Sequence, residues 1–346
     1  MQNKERKYEI LYSIIKDYIN SGEPVGSRTI EKKYNLGISS ATIRNEMSDL
    51  EEMGYLIQPH ASAGRIPSDK AYRMYVDQFM HVFDLDDEIT EQVRKQYREY
   101  WGELNAAVRK TSEILTKITN YTSLVMVPGI ASLNIKDVRL IHIENERVLL
   151  VLITKQGIVK NAELKLAGKA TPAQLEKITN FLNLCIKDIE TEMTVSGFGE
   201  KVETLDSGEQ KILAEVVPAI KYVLNQDLNE KMYATGLTEI FNYPEFQNMN
   251  KARQLLDALH KQDMLSLLLQ NAMDDTVNIR IGAENELEEM NDCSILTATY
   301  RLNGNPIGTI GILGPTRMNY DYCVSALNAL AKELTNHISS SIGGHE

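Results

Sequence analysis

The chain reads as an α+β multidomain protein that opens with a winged helix-turn-helix, and three observations predict this. Segment 26–54, GSRTIEKKYNLGISSATIRNEMSDLEEMG, carries two helical stretches around a turn holding Asn35 and Gly37, and a short strand–loop–strand follows at 55–68. Two groups of strand-like segments lie far apart in the chain, near 138–166 and 277–315. A largely helical stretch separates them. Hairpins with flanking helices imply a mainly antiparallel α+β sheet, and a length of 346 residues implies two or three domains.

The first helix, 5–20, has an apolar stripe of Ile10, Ile14, Ile15, Tyr18 and Ile19. The second helix of the helix-turn-helix opens on Ser39-Ser40 and buries Ile43, Met47 and Leu50, at spacings of four and three. Its first turns otherwise carry Ala41, Thr42, Arg44, Asn45 and Ser48. Short side chains let a helix approach base edges, and Arg and Asn can contact those edges bidentately. In YLIQPHASAGRIPS (55–68) a small loop tipped by Arg65, with His60 and Ser62 nearby, suits a wing. Such a unit either reads DNA or only packs, and Ser-Ser before a helix is an ordinary N-cap. The residues expected at DNA are Ser39, Ser40, Thr42, Arg44, Asn45, Ser48, His60, Ser62 and Arg65.

Charge bears on the same question. Residues 1–80 hold eleven Lys/Arg and eleven Asp/Glu, so the rest of the chain carries the whole net charge of −11. Phosphate contacts dominate DNA affinity, and this unit avoids net repulsion by being neutral. Glu46, Asp49, Glu51 and Glu52 fall further along the second helix, away from its start.

A short helix over 70–83 extends the unit, and the acidic run 84–88 marks a boundary. Apolar or aromatic residues at 89, 93, 97, 101, 104, 108, 115 and 118, with Thr111 keeping step, predict one long helix. It either links domains and pairs with its twin or forms one face of a core. Strands follow at 138–144, 148–157 and 158–166. Thr171-Pro-Ala-Gln174 is a capping box with Pro at the first helical position, launching a helix through Leu175, Ile178, Leu182, Cys185 and Ile189. Further helices are expected at 209–225, with Pro218 inside, and at 250–270. Strands at 277–282, 294–302 and 306–315, with Asn303-Gly304 as a hairpin turn, precede a closing helix at 320–339. The early and late strands read as halves of one sheet split by the helical insert.

Beyond these patterns, YINSGEPVGSRTI, SSATIRNEMSDLEEMGYL and QPHASAGRIPSDKAYRMYVD over 18–77 closely resemble the N-terminal signature of the HrcA family, bacterial heat-inducible transcription repressors. The resemblance continues in YATGLTEIFNYPEF (233–246) and GPTRMNYD (314–321). Ala61, Ser68 and Ala71 depart from the family's usual Thr, Thr and Gly, all small-for-small changes. The resemblance implies a winged helix-turn-helix (1–83), a GAF-like domain in two parts (84–166 and 256–346) and an inserted dimerising domain (167–255). It further implies a homodimer that binds double-stranded DNA at an inverted-repeat operator of CIRCE type before chaperone genes, with activity set by a GroEL-type chaperonin.

Catalytic and metal signatures are missing: the sequence has no H-E-x-x-H, C-x-x-C, Walker A loop or G-x-S-x-G. Neither enzyme activity nor a cofactor is expected. The glycines at 308, 311 and 314 sit in an apolar strand and form no dinucleotide loop. The six histidines lack ligand spacing. Cys185, Cys293 and Cys323 are far apart, which suits reduced thiols in a cytoplasmic protein. No apolar run approaches the ~18–20 residues that span a bilayer. The competing functional readings are a winged-helix regulator whose GAF-like domain senses a small molecule, and an enzyme with an accessory DNA-binding unit.

Overall fold

The computed structural model describes residues 2–99, 104–127, 135–144, 146–154, 159–185, 201–226, 231–260, 277–285, 287–302 and 304–342. The N-terminal unit holds helices α1 (Gln2–Ser21), α2 (Ser27–Tyr34) and α3 (Ser40–Glu52), the hairpin β1 (Leu56–Ile57) and β2 (Ile66–Pro67), and helix α4 (Asp69–Gln78). Ile10, Leu11, Ile14 and Ile15 of α1 meet Ile30 of α2 and Ile43, Met47 and Leu50 of α3 in its core. Helix α4 ends earlier than the expected residue 83, and residues 80–86 run without regular structure.

The single long helix expected over 89–118 is instead two, α5 (Asp87–Arg98) and α6 (Leu104–Thr119), with residues 100–103 outside the described set. Tyr97 Oη lies 2.6 Å from Thr111 Oγ1. In one straight helix these positions would stand ~21 Å apart, so the chain turns back between them. The stripe was read correctly as apolar, but its two halves face each other: Val93, Tyr97, Val108 and Leu115 are all buried.

Strand pairing differs from the expected plan. A five-stranded antiparallel sheet has the order β7-β3-β10-β9-β8, from β3 (Thr122–Val127), β7 (Lys231–Thr235), β8 (Asn278–Ile281), β9 (Cys293–Leu302) and β10 (Asn305–Pro315). The early strands β4 (Ile135–Glu144), β5 (Arg147–Thr154) and β6 (Val159–Lys165) are not part of it and form their own antiparallel sheet. Alternation of apolar residues specifies which face of a strand is buried, not which strand lies beside it. The late strand β10 pairs instead with β3, whose run Leu124-Val-Met-Val is the signal of a buried strand, and β3 pairs in turn with β7.

Both faces of the five-stranded sheet are covered. Leu296, Ala298, Tyr300 and Leu302 of β9 point with Ile310 and Ile312 towards α6 and the closing helix α10 (Tyr320–Ile342). Val324, Leu327, Leu330, Leu334 and Ile338 of α10 are buried there. On the other face Cys293, Ile295 and Leu313 join Leu124 and Met126 in a second core, closed by Ile240, Phe246, Leu255 and Leu259. Leu255 and Leu259 come from helix α9 (Met249–His260). Segment 231–255, expected in the insert, therefore serves the main sheet. All three cysteines are buried free thiols.

Among the described residues, the small sheet is covered on one face only. Val138, Leu140, Val148, Leu150 and Leu152 are buried beside helices α7 (Pro172–Leu184) and α8 (Ser207–Gln226). Asn183 ties α7 to β4, donating to Val138 O at 2.9 Å and accepting from Val138 N at 2.8 Å. The capping box at Thr171 and Gln174 forms as expected. This sheet and its helices lie in sequence between β3 and β7, which are neighbours in the large sheet.

Candidate nucleic-acid interface

The turn between α2 and α3 rests on two backbone choices. Asn35, at the C-cap of α2, and Gly37 both adopt positive φ, at 43° and 69°. The start of α3 is fixed twice. Ser39 Oγ accepts from Thr42 N at 3.2 Å, and Glu31 of α2 accepts from Ser40 N at 3.0 Å. Thr42 Oγ1 lies 3.1 Å from Ser39 Oγ, so Ser39, Ser40 and Thr42 are partly committed to holding the helix. Ala41, Arg44, Asn45 and Ser48 form an exposed stripe at helical spacing, opposite the buried Ile43, Met47 and Leu50.

The hairpin packs against the turn before α2. Val25 and Arg65 exchange both backbone hydrogen bonds, each at 2.9 Å, adding a third short strand position. Gly64 makes this possible, because a Cβ there would lie 2.5 Å from the Val25 backbone. The loop is held from within: Gln58 donates to Ala61 O at 3.0 Å, and Ala63 N donates to His60 O at 2.8 Å. His60 and Ser62 are exposed on this loop. Arg65 is not at its tip. It sits at the foot of β2, its side chain only 19% exposed and paired with Glu51 of α3 at 2.8 Å. Backbone pairing with Val25 pulls the residue inward, a contact that spacing in the sequence does not reveal.

Most basic residues of this unit are spent on its own architecture. Arg6 and Lys7 of α1 pair with Glu46 of α3, and Lys7 also reaches Asp49 at 2.6 Å. The Asp49 hydrogen bond holds the Lys7 ammonium above its ordinary pKa. Glu46, which lies along α3 away from its start, is buried and binds α1 to α3. Lys33 pairs with Asp17, Lys16 with Asp321, and Arg73 with Asp77 and Glu284. Lys70 donates to Met53 O at 2.9 Å and lies over the Tyr55 ring. Among the described side chains, Arg28, Lys32 and Arg44 are exposed cations of this unit with neither ion pair nor hydrogen bond. Arg28 and Lys32 stand one turn apart on α2. Sequence reading counted them as charges and gave them no role; their spacing, four residues on a helix flanking the turn, was the available signal.

Fold and surface together define a multidomain α+β protein with a polar, partly cationic helix face displayed by its N-terminal unit. Among the described residues no helix is long and apolar enough to cross a membrane. A solved structure described as a hypothetical protein at 2.2 Å resolution aligns with a TM-score of 0.59 at 22% identity, covering 97% of this chain and 98% of that one, a likeness that speaks for the fold alone. The family model for the "HrcA protein C terminal domain" matches residues 105–324. The chain is 42% identical to the heat-inducible transcription repressor HrcA of Ruminiclostridium cellulolyticum, over 96% of this chain and 97% of that protein. It is 43% identical to the heat-inducible transcription repressor HrcA of Clostridium tetani, over 96% of this chain and 95% of that protein. The chain belongs to the HrcA family of heat-inducible transcription repressors.

The double fixation of α3 predicts a measurable local cost. Ser39→Ala should lower unfolding stability in urea by ~1 kcal/mol, the usual value of an N-cap hydroxyl, and Ser39→Asp should recover most of it. A Ser39→Ala variant as stable as the parent would show that Glu31 alone anchors the helix start.

Proposed function

We propose that residues 1–83 form a winged helix-turn-helix that reads an inverted-repeat operator in double-stranded DNA, and that the chain acts in the cytoplasm as a homodimeric repressor of chaperone genes. The observation that carries this reading is the exposed Ala41–Arg44–Asn45–Ser48 stripe of α3, beside the uncommitted cations Arg28 and Lys32. Arg44 and Asn45 have the donor geometry for base edges. Arg28 and Lys32 suit phosphates, which orient a protein without reading sequence. Ser39, Ser40, Thr42 and Ser48 approach the backbone or bases around the helix start. His60 and Ser62 are the wing's contacts, and Arg65 supports the wing through Glu51. Arg44→Ala or Asn45→Ala should cost ~1–3 kcal/mol on the cognate operator and leave binding to scrambled DNA nearly unchanged. Arg28→Ala and Lys32→Ala should weaken both alike, each reducing the salt slope by ~0.9. Equal losses on cognate and scrambled DNA for Arg44→Ala would defeat the base-reading role.

Dimerisation is assigned to the inserted unit, whose limits follow the strand pairing between β3 and β7 in place of 167–255. Support comes from the second face of the small sheet, which no described residue covers. Ile141, Ile143 and Val159 are exposed there to 50%, 44% and 56%, next to Leu149, Val151 and Ile153. A contiguous apolar face of this kind marks an interaction surface, and a two-fold protein matches a two-fold operator. Ile141→Lys combined with Val159→Lys should yield a monomer by light scattering with poor operator affinity. A variant that remains dimeric would move the interface elsewhere.

The domain built on the five-stranded sheet is proposed as GAF-like, supported by its antiparallel order and helical cover. Its switch is proposed to be folding itself, assisted by a GroEL-type chaperonin. The sheet joins strands across long loops, a topology that folds slowly and exposes apolar surface meanwhile. Refolding from denaturant should restore operator binding markedly better with a GroEL-type chaperonin and ATP than without. Full, rapid recovery without the chaperonin would defeat the mechanism and favour a small-molecule effector.

A further inference from the structure

The segment 314–321, GPTRMNYD, is distinctive in sequence yet lies far along the chain from the DNA-reading helix. In the structure it bears on the N-terminal unit through polar contacts of Asp321 and Arg317, and the Tyr320 ring between them lies 5.9 Å from that of Tyr72. Asp321, at the start of α10, is only 8% exposed. Its carboxylate accepts from Lys16 Nζ of α1 at 2.7 Å, from Tyr75 Oη of α4 at 2.8 Å, and from the backbone N of His81 at 3.2 Å. One carboxylate thus gathers three separate elements of the reader. Lys16 also lies 5.6 Å from the ring centroids of both Tyr12 and Tyr75. Burial disfavours its charge, but the hydrogen bond and charge of Asp321 outweigh this and hold the ammonium above its ordinary pKa.

Arg317 makes the second polar contact. It is braced by an ion pair to Glu245, over the Tyr243 ring, and its Nη1 reaches Ile19 O near the end of α1 at 3.5 Å. Its guanidinium also packs on Gly22, where a Cβ would come within 3.1 Å of Cζ. Lys16 and Ile19 are three residues apart, on one side of α1. Just beyond, Phe83 N donates to Ser325 Oγ at 3.0 Å, so the connector 80–86 is fastened to the same helix α10. These contacts leave Arg44, Asn45 and Ser48 exposed, so the joint does not cover the reading face.

We propose that Asp321, seconded by Arg317, is a positioning residue that sets the angle of the DNA reader on the main domain and thereby the half-site spacing that a dimer accepts. This rests on the operator-reading proposal above. Two binding modules held rigidly have a high effective concentration at one separation only, and loosening the connection spreads it over many. Without Asp321 and Arg317 the reader would be held only by residues 80–86 and the contacts of Asp69 and Arg73 with residues 279–284, a looser joint that tolerates several spacings.

The test uses the full-length protein and labelled duplexes bearing the inverted repeat from the promoter of this chain's own chaperonin operon. The spacer between half-sites is changed in single base pairs through about one helical turn, ~10 bp. The unaltered protein should show a sharp affinity maximum. Asp321→Asn should lower affinity at that spacer by about tenfold while changing it little at neighbouring spacers, so that the maximum flattens. Tyr75→Phe, which deletes one hydrogen bond and keeps the ring, should do the same to a lesser degree and guards against misfolding of the first variant. Arg317→Gln should resemble Asp321→Asn. An Asp321→Asn profile of unchanged height and width would overturn the proposal, and so would an equal loss at every spacer. Chymotryptic cleavage after Phe83 reads the joint without DNA and should quicken at least about fivefold in Asp321→Asn with an unchanged circular dichroism spectrum. If the unaltered protein bound no duplex of the series, the operator reading would fall. The cleavage rate would then decide the joint alone, an unchanged rate overturning it.

Discussion

The placement of β3 between β7 and β10 is the constraint on which the rest of the architecture hangs. Thr122 pairs with Leu313 on one side while Ser123 pairs with Thr235 on the other. Two distant stretches must therefore meet on either edge of a six-residue strand. Once they do, the chain between β3 and β7 has to leave the sheet and return beside its point of departure. It does so as a separate small sheet backed by α7 and α8. The same closure sets α6 and α10 side by side on one face and the second core on the other. Pairing over such separations gains its contacts only after long loops have closed.

Charge in the N-terminal unit is organised for architecture first. Neutral in sum, the unit spends Arg6, Lys7, Lys33 and Arg65 on internal carboxylates, and Lys16 and Arg73 on the main domain. Ion pairs at exposed positions contribute little to stability, whereas pairs that include a buried acid, such as Glu46 or Asp321, are costly to break. Among the described side chains, what remains for a polyanion is a small set: Arg28, Lys32 and Arg44. On the proposed DNA-reading role, a unit so sparingly charged relies on few contacts, and correct orientation of those contacts matters more than bulk attraction. This gives the polar joint around Asp321 its weight, because orientation is a property of the whole molecule and not of α3.

The local features of this chain were legible from its residues. Spacing of Ile43, Met47 and Leu50 marked the inward face of α3 and so, by exclusion, the exposed stripe holding Arg44 and Asn45. The Thr171–Gln174 capping box and the apolar stripe of α10 appeared where their patterns placed them. These depend on residues within a few positions of one another, and helical or strand period follows from backbone geometry alone. Tertiary structure decided which strands became neighbours, that the stripe over 89–118 folds back on itself, that Arg65 turns in to Glu51, and that Glu46 is buried. It also brought Asp321 to Lys16 and Tyr75. Each of these depends on which distant segment occupies the space beside a side chain. Apolar periodicity carries no label for that partner, since many pairings bury the same face equally well; only closure of the whole chain selects one.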